Sequence, residues 1–170
     1  MSIDPHASVD PRALRQTLAQ FVTGVTVIAI GANGGVHAMT ANSFTSLSLD
    51  PPLVLFCASR DSKIGQLARV GLSFSVNVLR QEQRDLSTYF AGAWKEGAPP
   101  AFSFSQWELD RHAPAPRLEG NAAALACTVA SMHEGGDHWI VVGEVVAVDR
   151  PADLAEPLVF HRGRYASLAR

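Results

Sequence analysis

Most of the chain alternates between apolar and polar residues with the two-residue period of β-strands, and its apolar runs are short. Five runs rich in Val, Ile, Leu, Ala and Thr predict strands over 21–30, 53–58, 72–79, 122–132 and 139–148. The Asn33-Gly34 pair after the first run is typical of a tight hairpin turn, because both residues readily adopt positive φ. Residues 36–49 then continue as strand and polar loop, and one last short strand is expected over 158–165.

Three segments have the features of helices. Asp10 and Pro11 suit the N-cap and the first position of a helix over 12–21. A loop and a short helix are expected within 59–71, and another short helix over 81–90. Six or seven strands with three short helices, and no regular β–α alternation, predict an antiparallel barrel or sandwich rather than a doubly wound parallel sheet.

Length and composition narrow the class of protein further. The 170 residues, 47% apolar and 18% charged, suit a single domain over 1–170 with a full core. Fourteen basic and sixteen acidic residues give a formal charge of −2 without any basic run, so neither nucleic acid nor an anionic membrane is an expected partner.

Two observations bear on the compartment. Residues 1–10 lack the apolar segment of a signal peptide, and the longest apolar stretches, 22–30 and 140–148, are too short to span a bilayer. Cys57 and Cys127 each lie alone in an apolar run, which favours buried thiols over a disulfide. We therefore expect a cytoplasmic protein.

The most informative segment is an uncharged polar stretch after the first hairpin. No acidic residue, Lys or Arg occurs from 36 to 49, and six hydroxyl or amide side chains fall between 40 and 48. Neutral donors and acceptors beside an apolar wall suit a flat heteroaromatic ring with a polar edge. A solvent-facing edge strand rich in Ser and Thr fits the same residues equally well.

A second polar cluster, 59–63, follows the buried strand 53–58. Ser59-Arg60-Asp61-Ser62-Lys63 brings hydroxyls, two cations and the N–H groups of a helix start to one place, which is one way to hold a phosphate. A solvated loop with an Asp or Ser N-cap is the alternative. A ring-like and a phosphate-like cluster on either side of one strand favour a binding site.

The sequence of these clusters, together with that of several other segments, resembles the sequences of the flavin reductase family. The matching stretches are 23–25, 40–44, 49–53, 59–63, 136–145 and 157–165. The resemblance implies a mainly β fold, an antiparallel, Greek-key-like split β-barrel with a few short helices. It also implies an NAD(P)H-dependent flavin reductase that is a homodimer, with flavin near the subunit interface, and that supplies a partner monooxygenase with reduced flavin.

The resemblance assigns flavin contacts to particular residues. The segment matching 40–43 contacts the isoalloxazine largely through its backbone, and the segment matching 59–63 holds the phosphate. A single phosphate-like cluster favours FMN over FAD, with NADH or NADPH as co-substrate. The expected cofactor-binding residues are Thr40, Ala41, Asn42, Ser43, Ser46, Cys57, Ala58, Ser59, Arg60, Ser62, Lys63, His161 and Tyr165.

The hairpin around 133–138 carries the expected catalytic residue. His133, Glu134, Asp137 and His138 together offer two imidazoles and two carboxylates, which can bind a metal. No supporting Cys/His cluster occurs elsewhere, so a structural hairpin with its turn at Gly135-Gly136 is favoured and no metal is expected. The resemblance places His138 on the open face of the flavin, where the nicotinamide binds.

Other functions remain open at this level. A barrel that binds or stores flavin without catalysis, or one that binds another small ligand, would use similar residues. Hydride transfer from nicotinamide to flavin needs stacking and orientation rather than a strong acid or base, so the lack of a catalytic triad agrees with a reductase.

The stretch 91–116 has four of the ten prolines and is expected to form a long excursion. We expect its aromatic side chains to be exposed in one subunit and buried in a homodimer. The aromatic residues concerned are Phe90, just before the stretch, and Trp94, Phe102, Phe104 and Trp107 within it.

Overall fold

The computed structural model describes residues 9–95, 97–109, 111–153 and 155–168. Its helices are α1 (Pro11–Leu18), α2 (Lys63–Leu67) and α3 (Arg84–Phe90), the last preceded by a 3₁₀ turn at Gln81–Gln83. Its strands are β1 (Thr23–Gly24), β2 (Thr26–Ala32), β3 (Gly35–Ala41), β4 (Thr45–Leu49), β5 (Pro52–Ser59), β6 (Ser73–Val78), β7 (Phe104–Trp107), β8 (Ala115–Leu118), β9 (Ala123–Gly135), β10 (His138–Asp149), β11 (Val159–His161) and β12 (Arg164–Ala166). No helix in these described ranges is long and apolar enough to cross a membrane.

Seven strands form one sheet in the order β3-β2-β6-β9-β10-β5-β4. A three-stranded sheet, β1-β11-β12, and a two-stranded sheet, β7-β8, lie beside it. All pairings between the described strands are antiparallel, which confirms the mainly β, antiparallel class.

The segment that follows β3, at one end of this sheet, meets β5 near the other end, and a side chain links the two. Beyond β3, the Ser43 hydroxyl donates to the carbonyl oxygen of Cys57 in β5 and accepts the Cys57 backbone N–H, both at 3.1 Å. This link takes the place of a backbone ladder between β3 and β5. The result is a barrel that is split at this point, as expected.

Apolar side chains from six of these strands and from α2 fill the barrel interior. The buried cluster consists of Ile28, Ile30, Ala41, Val54, Phe56, Ala58, Ile64, Phe74, Val76, Cys127, Val129 and Val141. The rings of Phe56 and Phe74 meet edge to face, with centroids 5.3 Å apart. Gly143 faces Phe74 so closely that a Cβ at this position would lie 2.4 Å from the ring.

A second apolar layer packs outside the barrel, between β2 and the elements that cover it. It contains Val25, Val27, Leu79, Leu86, Leu118 and Leu158. Asn77 ties β8 to this layer, because its amide donates to the Val27 carbonyl at 3.0 Å and its oxygen accepts the Leu118 N–H at 2.9 Å. The bonding capacity of this buried amide is therefore used within the fold.

The aromatic side chains of the stretch 91–116 were expected to be exposed in a single subunit, but the stretch takes part in an aromatic cluster. Tyr89, Phe90, Phe102 and Phe104 pack with ring centroids 5.0–6.1 Å apart. Of the five aromatic side chains expected to be exposed, only Phe102 is, at 40%. The β7-β8 pair then lays Ala115 and Leu118 against β2 and β6, so tertiary packing overrides the high proline content.

The first helix begins as expected but packs against little. The Asp10 carboxylate accepts the backbone N–H groups of Arg12 and Ala13, both at 3.2 Å, and Pro11 is the first helical residue. None of the residues of α1 is buried. Its apolar side is therefore open in the single chain.

Candidate functional site

The carboxyl end of β5 brings three of the expected segments together. Ser43 is bonded to Cys57, as described above, and the register of β5 and β10 places His138 directly opposite Ser59. One residue further on, the Arg60 backbone N–H donates to the Asp137 carbonyl at 3.1 Å. The ring-like cluster, the phosphate-like cluster and the expected catalytic histidine are thus contiguous in the fold.

The segment 40–43 presents mainly its backbone and one amide side chain. The Thr40 hydroxyl donates to the carbonyl of Ser87 in α3 at 2.6 Å, and the side chain of Ala41 is buried in the core. Asn42 is exposed, and it lines both of the cavities described next. The side chains of Thr40, Ala41 and Ser43 are therefore engaged in contacts within the protein. This arrangement leaves the backbone of the segment to contact a ligand, as expected from the resemblance.

The smaller cavity lies between β3, α3 and the β11-β12 hairpin. It has a volume of about 170 Å³ and is lined by Val25, Thr40, Asn42, Ser87, Ala91, Phe160 and Tyr165. The Tyr165 hydroxyl donates to the Ser87 hydroxyl at 2.9 Å and lies 3.3 Å from that of Thr88. Tyr165 thus borders the expected site, with its hydroxyl held by α3.

The larger cavity is a groove of about 820 Å³ between α1, the segment 42–45 and the β11-β12 turn. Its walls are apolar at Leu18, Phe21 and Phe160, and polar groups converge on it from Asn42 and His161. Arg15 and Arg162 add positive charge at its edge. Its size and its mixture of aromatic walls with a few polar groups are those of small-molecule and cofactor sites.

One buried atom in this groove lacks a partner. The Thr23 hydroxyl oxygen is inaccessible to solvent, and it has no hydrogen bond within the described part of the chain. Because buried polar groups are normally paired, an unpaired hydroxyl beside Asn42 and His161 fits a ligand with polar atoms at its edge. The donor set and the groove therefore fit a flavin.

The loop 59–63 is held tightly by its own hydrogen bonds. The Ser62 hydroxyl donates to the Ser59 carbonyl at 2.7 Å and accepts the Gly65 N–H at 3.0 Å, so Ser62 is the N-cap of α2. Lys63 is exposed and has no ion pair among the described residues. Lys63 is therefore the cation of this loop that is free to meet an anion.

The side chain of Arg60 has a different environment. Its guanidinium stacks on the ring of Trp139, 4.4 Å from the ring centre, and one terminal nitrogen lies 3.3 Å from a Glu134 carboxylate oxygen. Both partners belong to the β9-β10 hairpin. The expected role of Arg60 as a phosphate ligand stays a prediction, and these contacts compete with it.

The imidazole of His138 is oriented by its neighbour in the chain. Its Nδ1 lies 2.7 Å from Asp137 Oδ1, and this hydrogen bond is the main cause that lowers the pKa of the Asp137 carboxyl. An ionised carboxylate can only accept, so Nδ1 carries the proton and Nε2 is left to accept a hydrogen bond. The turn between the strands is formed by Gly136 and Asp137, one residue later than expected.

The groups expected to be able to bind a metal do not converge. No cluster of three or more His, Cys, Asp or Glu side chains suited to a metal occurs in the ranges that the structure describes. His133 instead lies 3.0 Å from the Ser131 hydroxyl.

Comparison with known proteins identifies the family. A family model described as "Flavin reductase like domain" matches residues 18–169. The chain belongs to the flavin reductase family. It is 40% identical over 163 residues to the "Flavin-dependent monooxygenase, reductase subunit HsaB" of Mycobacterium tuberculosis, covering 95% of this chain and 84% of that protein. It is 37% identical over 160 residues to the "FMN reductase (NADH) SmoA" of Agrobacterium fabrum, covering 94% and 87%.

A solved member of the flavin reductase family has the same fold. The NADH:FAD oxidoreductase SgcE6 of Streptomyces globisporus, in complex with NAD and FAD fragments, aligns with a TM-score of 0.79 at 35% identity. The alignment covers 96% of this chain and 97% of that one. The sequence resemblance to the family is thereby confirmed over nearly the whole chain.

Five of the thirteen expected cofactor-binding residues line the two cavities, and eight line neither of them. These eight are Ala41, Ser46, Cys57, Ala58, Ser59, Arg60, Ser62 and Lys63, and the expected catalytic residue His138 lines neither cavity either. Ser46 is exposed on β4, opposite Val54. Ala58 is buried and faces the barrel interior, so only its backbone can contribute.

Sequence reasoning missed several residues of the site. Thr23, Ser87 and Phe21 line it, and Asp137 was considered as a possible metal ligand rather than as the partner of His138. The direct adjacency of Asp137 and His138 was the one available signal. Thr40 and Ser87 are 47 residues apart, and no local pattern predicts their hydrogen bond.

Proposed function

We propose that this protein reduces FMN or FAD with NADH and delivers the reduced flavin to a monooxygenase. Family membership supports the reaction, and the names of HsaB, SmoA and SgcE6 support the flavins, NADH and the monooxygenase. The observation that carries the proposal is the convergence at the end of β5, where His138 lies opposite Ser59 and Ser43 is bonded to Cys57. This convergence lies beside a groove with apolar walls.

The residues around the groove would hold the flavin by its edge. The backbone of 40–43, the amide of Asn42 and the unpaired hydroxyl of Thr23 offer neutral donors and acceptors to a ring. Lys63, together with the backbone of the loop 59–63, is assigned to the phosphate. When bound, the flavin supplies the ring that accepts the hydride from NADH.

His138 is assigned to the nicotinamide side. Asp137 fixes the imidazole so that Nε2 can accept a hydrogen bond from the nicotinamide carboxamide. Such a contact would set the approach of NADH without any proton transfer by the protein. His138→Ala should therefore lower kcat/KM for NADH and leave the flavin dissociation constant nearly unchanged.

The phosphate assignment is tested by comparing FMN with riboflavin, which lacks the phosphate. Lys63→Ala should weaken FMN binding roughly five- to tenfold, because Lys63 is exposed and its attraction to phosphate is partly screened. Riboflavin binding should not change. Lys95→Ala, which removes another exposed lysine, is the matched control. Equal losses for both flavins would refute the assignment.

The proposal includes a homodimer formed over the face that carries the groove. Leu18 is 63% exposed, Phe21 is 78% exposed, and both line the groove. Leu47 and Leu49 add apolar area on β4, the strand that begins at groove-lining Thr45. A second copy of the chain would bury this apolar face and close the groove against water.

The oligomeric state is measured by sedimentation at micromolar concentration. The native protein should sediment as a dimer, and Phe21→Asp should shift it to a monomer. Val148→Asp places the same charge on another side chain that is 72% exposed, and it should leave the dimer intact. A folded native monomer would refute this part of the proposal.

A flavin-binding or storage protein without catalysis is the second candidate function, because the same groove would serve it. The two are separated by NADH consumption in the presence of added FMN. A storage protein would bind FMN and leave NADH unoxidised.

A further inference from the structure

Three contacts join Arg60 to the hairpin that carries His138, while the Arg60 Nε is buried and has no hydrogen-bond partner among the described residues. The backbone N–H of Arg60 donates to the Asp137 carbonyl at 3.1 Å, its guanidinium lies 4.4 Å from the centre of the Trp139 ring, and its terminal nitrogen lies 3.3 Å from Glu134. Trp139 and Glu134 are paired directly across β10 and β9. Arg60 therefore spans the end of the hairpin, from β10 to β9.

The strand register shows on which side the guanidinium lies. Ser59 and His138 are paired, so their side chains share one face of the sheet, while Ala58 and Trp139 share the opposite face. Ala58 is in the barrel core, and Trp139 packs against that core. Because Arg60 stacks on Trp139, its guanidinium is on the face opposite to the Ser59–His138 pair.

We propose that Arg60 is a positioning residue, which fixes the His138 hairpin to the loop 59–63, rather than a ligand of the flavin phosphate. This inference rests on the proposed function and revises one of its residues. The planar guanidinium is suited to the task, because it stacks on an aromatic face and pairs with a carboxylate at the same time. A lysine has no plane with which to do both.

The three contacts do not contribute equally. Glu134 is 76% exposed in its side chain, so its ion pair with Arg60 is screened by water and is the weaker contact. The Trp139 stack is partly buried and is the stronger one. Loss of the Arg60 side chain should therefore loosen the hairpin end mainly at Trp139, next to His138.

The expected consequence is kinetic rather than a loss of phosphate binding. A donor misplaced by about 1 Å can cost roughly a hundredfold in rate, and the backbone bond from Arg60 to Asp137 survives any side-chain change. We therefore expect kcat/KM for NADH to fall by a smaller factor, roughly three- to tenfold. The ratio of the FMN and riboflavin dissociation constants should remain that of the native protein.

The test uses Arg60→Met, which keeps the apolar stem, and Arg60→Lys, which keeps the charge. Both variants should lose kcat/KM for NADH at saturating FMN while retaining the native FMN-to-riboflavin ratio. In a His138→Ala background, Arg60→Met should cause no further loss, because a positioning residue acts through the group that it positions. A merely structural weakening would reduce activity equally in both backgrounds.

Two results would overturn the inference. One is a drop in FMN affinity of about tenfold or more in Arg60→Met with riboflavin unaffected, because that is the signature of a phosphate ligand. The other is a full, independent loss on top of His138→Ala. If Arg60→Met does not fold, Arg60→Lys decides alone. Native kinetics in that variant would show that only the charge matters, not the planar guanidinium, and would overturn the inference.

Failure of the proposed function would be recognised separately. It would appear in the native protein, as no oxidation of NADH with FMN. The FMN-to-riboflavin ratio of the Arg60 variants would still show whether the guanidinium contacts the phosphate.

Discussion

Gly65 lies under the loop assigned to the phosphate, and replacing it with alanine sets two physical effects against each other. Gly65 is in α2, where alanine is the better helix former by about 0.5–1 kcal/mol. A Cβ at this position, however, would lie 2.1 Å from the carbonyl oxygen of Ser59 and 3.2 Å from the Ser62 hydroxyl. The first of these atoms belongs to the backbone, so no side-chain rotation relieves the overlap.

The magnitudes decide the direction of the change. Overpacking of a buried site typically costs about 1–3 kcal/mol. Moving Ser59 also strains its hydrogen bond with Ser62, which contributes about 1 kcal/mol. Gly65→Ala should therefore lower the free energy of unfolding by about 1–3 kcal/mol, net of the gain in helix propensity, and weaken FMN binding because the loop moves.

Urea unfolding and calorimetric titration with FMN measure the two effects. Gly35→Ala is the matched control, because a Cβ there meets no atom within 4 Å and the residue is exposed. We expect the control to change the free energy of unfolding by less than about 0.5 kcal/mol. A Gly65→Ala protein that is as stable as the native one, with the same FMN affinity, would refute the packing described here.

Three further predictions concern the barrel. Gly143→Ala should lower the free energy of unfolding in urea by about 1–3 kcal/mol, because the new Cβ clashes with Phe74. Phe74→Leu in the same chain should recover part of this loss, and a double variant whose loss is the sum of the two single losses would contradict this. Asn77→Ala should lower the free energy of unfolding by about 3 kcal/mol or more, since it leaves the buried groups bonded to Asn77 unpaired, and a loss below about 1 kcal/mol would argue against that. Burial raises the pKa of the Cys127 thiol to about 12, so stability should be full below the ordinary thiol pKa of 9.0 and fall as pH rises from there towards 12. In Cys127→Ala this part of the decline should disappear, and an unchanged pH dependence would contradict the assignment.

The fold was largely predictable because its signals are local. The five apolar runs, the Asn33-Gly34 turn and the Asp10 cap each depend on neighbouring residues, and each is observed close to where the sequence predicts it. The single last strand expected over 158–165 is instead a hairpin of two strands, β11 and β12. The stretch 91–116 was not predictable in this way. Its rings Phe102 and Phe104 pack on Phe90 of α3, and its buried Ala115 lies on β8, which packs against the distant strands β2 and β6. The order of the stretch therefore depends on tertiary packing.

The candidate site was predictable as a set of segments but not as a set of contacts. The cluster 40–48 contributes residues 42–45 to the groove, and the cluster 59–63 is the loop assigned to the phosphate. The direction of Arg60, however, is set by the β5-β10 register, which a single sequence does not reveal. Ser87 carries no local signal, and Thr23 is signalled only by the stretch 23–25 that matches the family. Their part in the site follows from tertiary packing, which brings α3 beside β3 and Thr23 beside the segment 42–45.

The central claim, that this chain reduces flavin with NADH, is tested most directly by anaerobic rapid mixing. The native protein with FMN is mixed with NADH, and the visible absorbance of the oxidised flavin is followed in the absence of oxygen. We expect the absorbance to disappear far faster than in the same mixture without protein, and more slowly with His138→Ala than with the native protein. Flavin that binds but keeps its absorbance after NADH is added would contradict the claim.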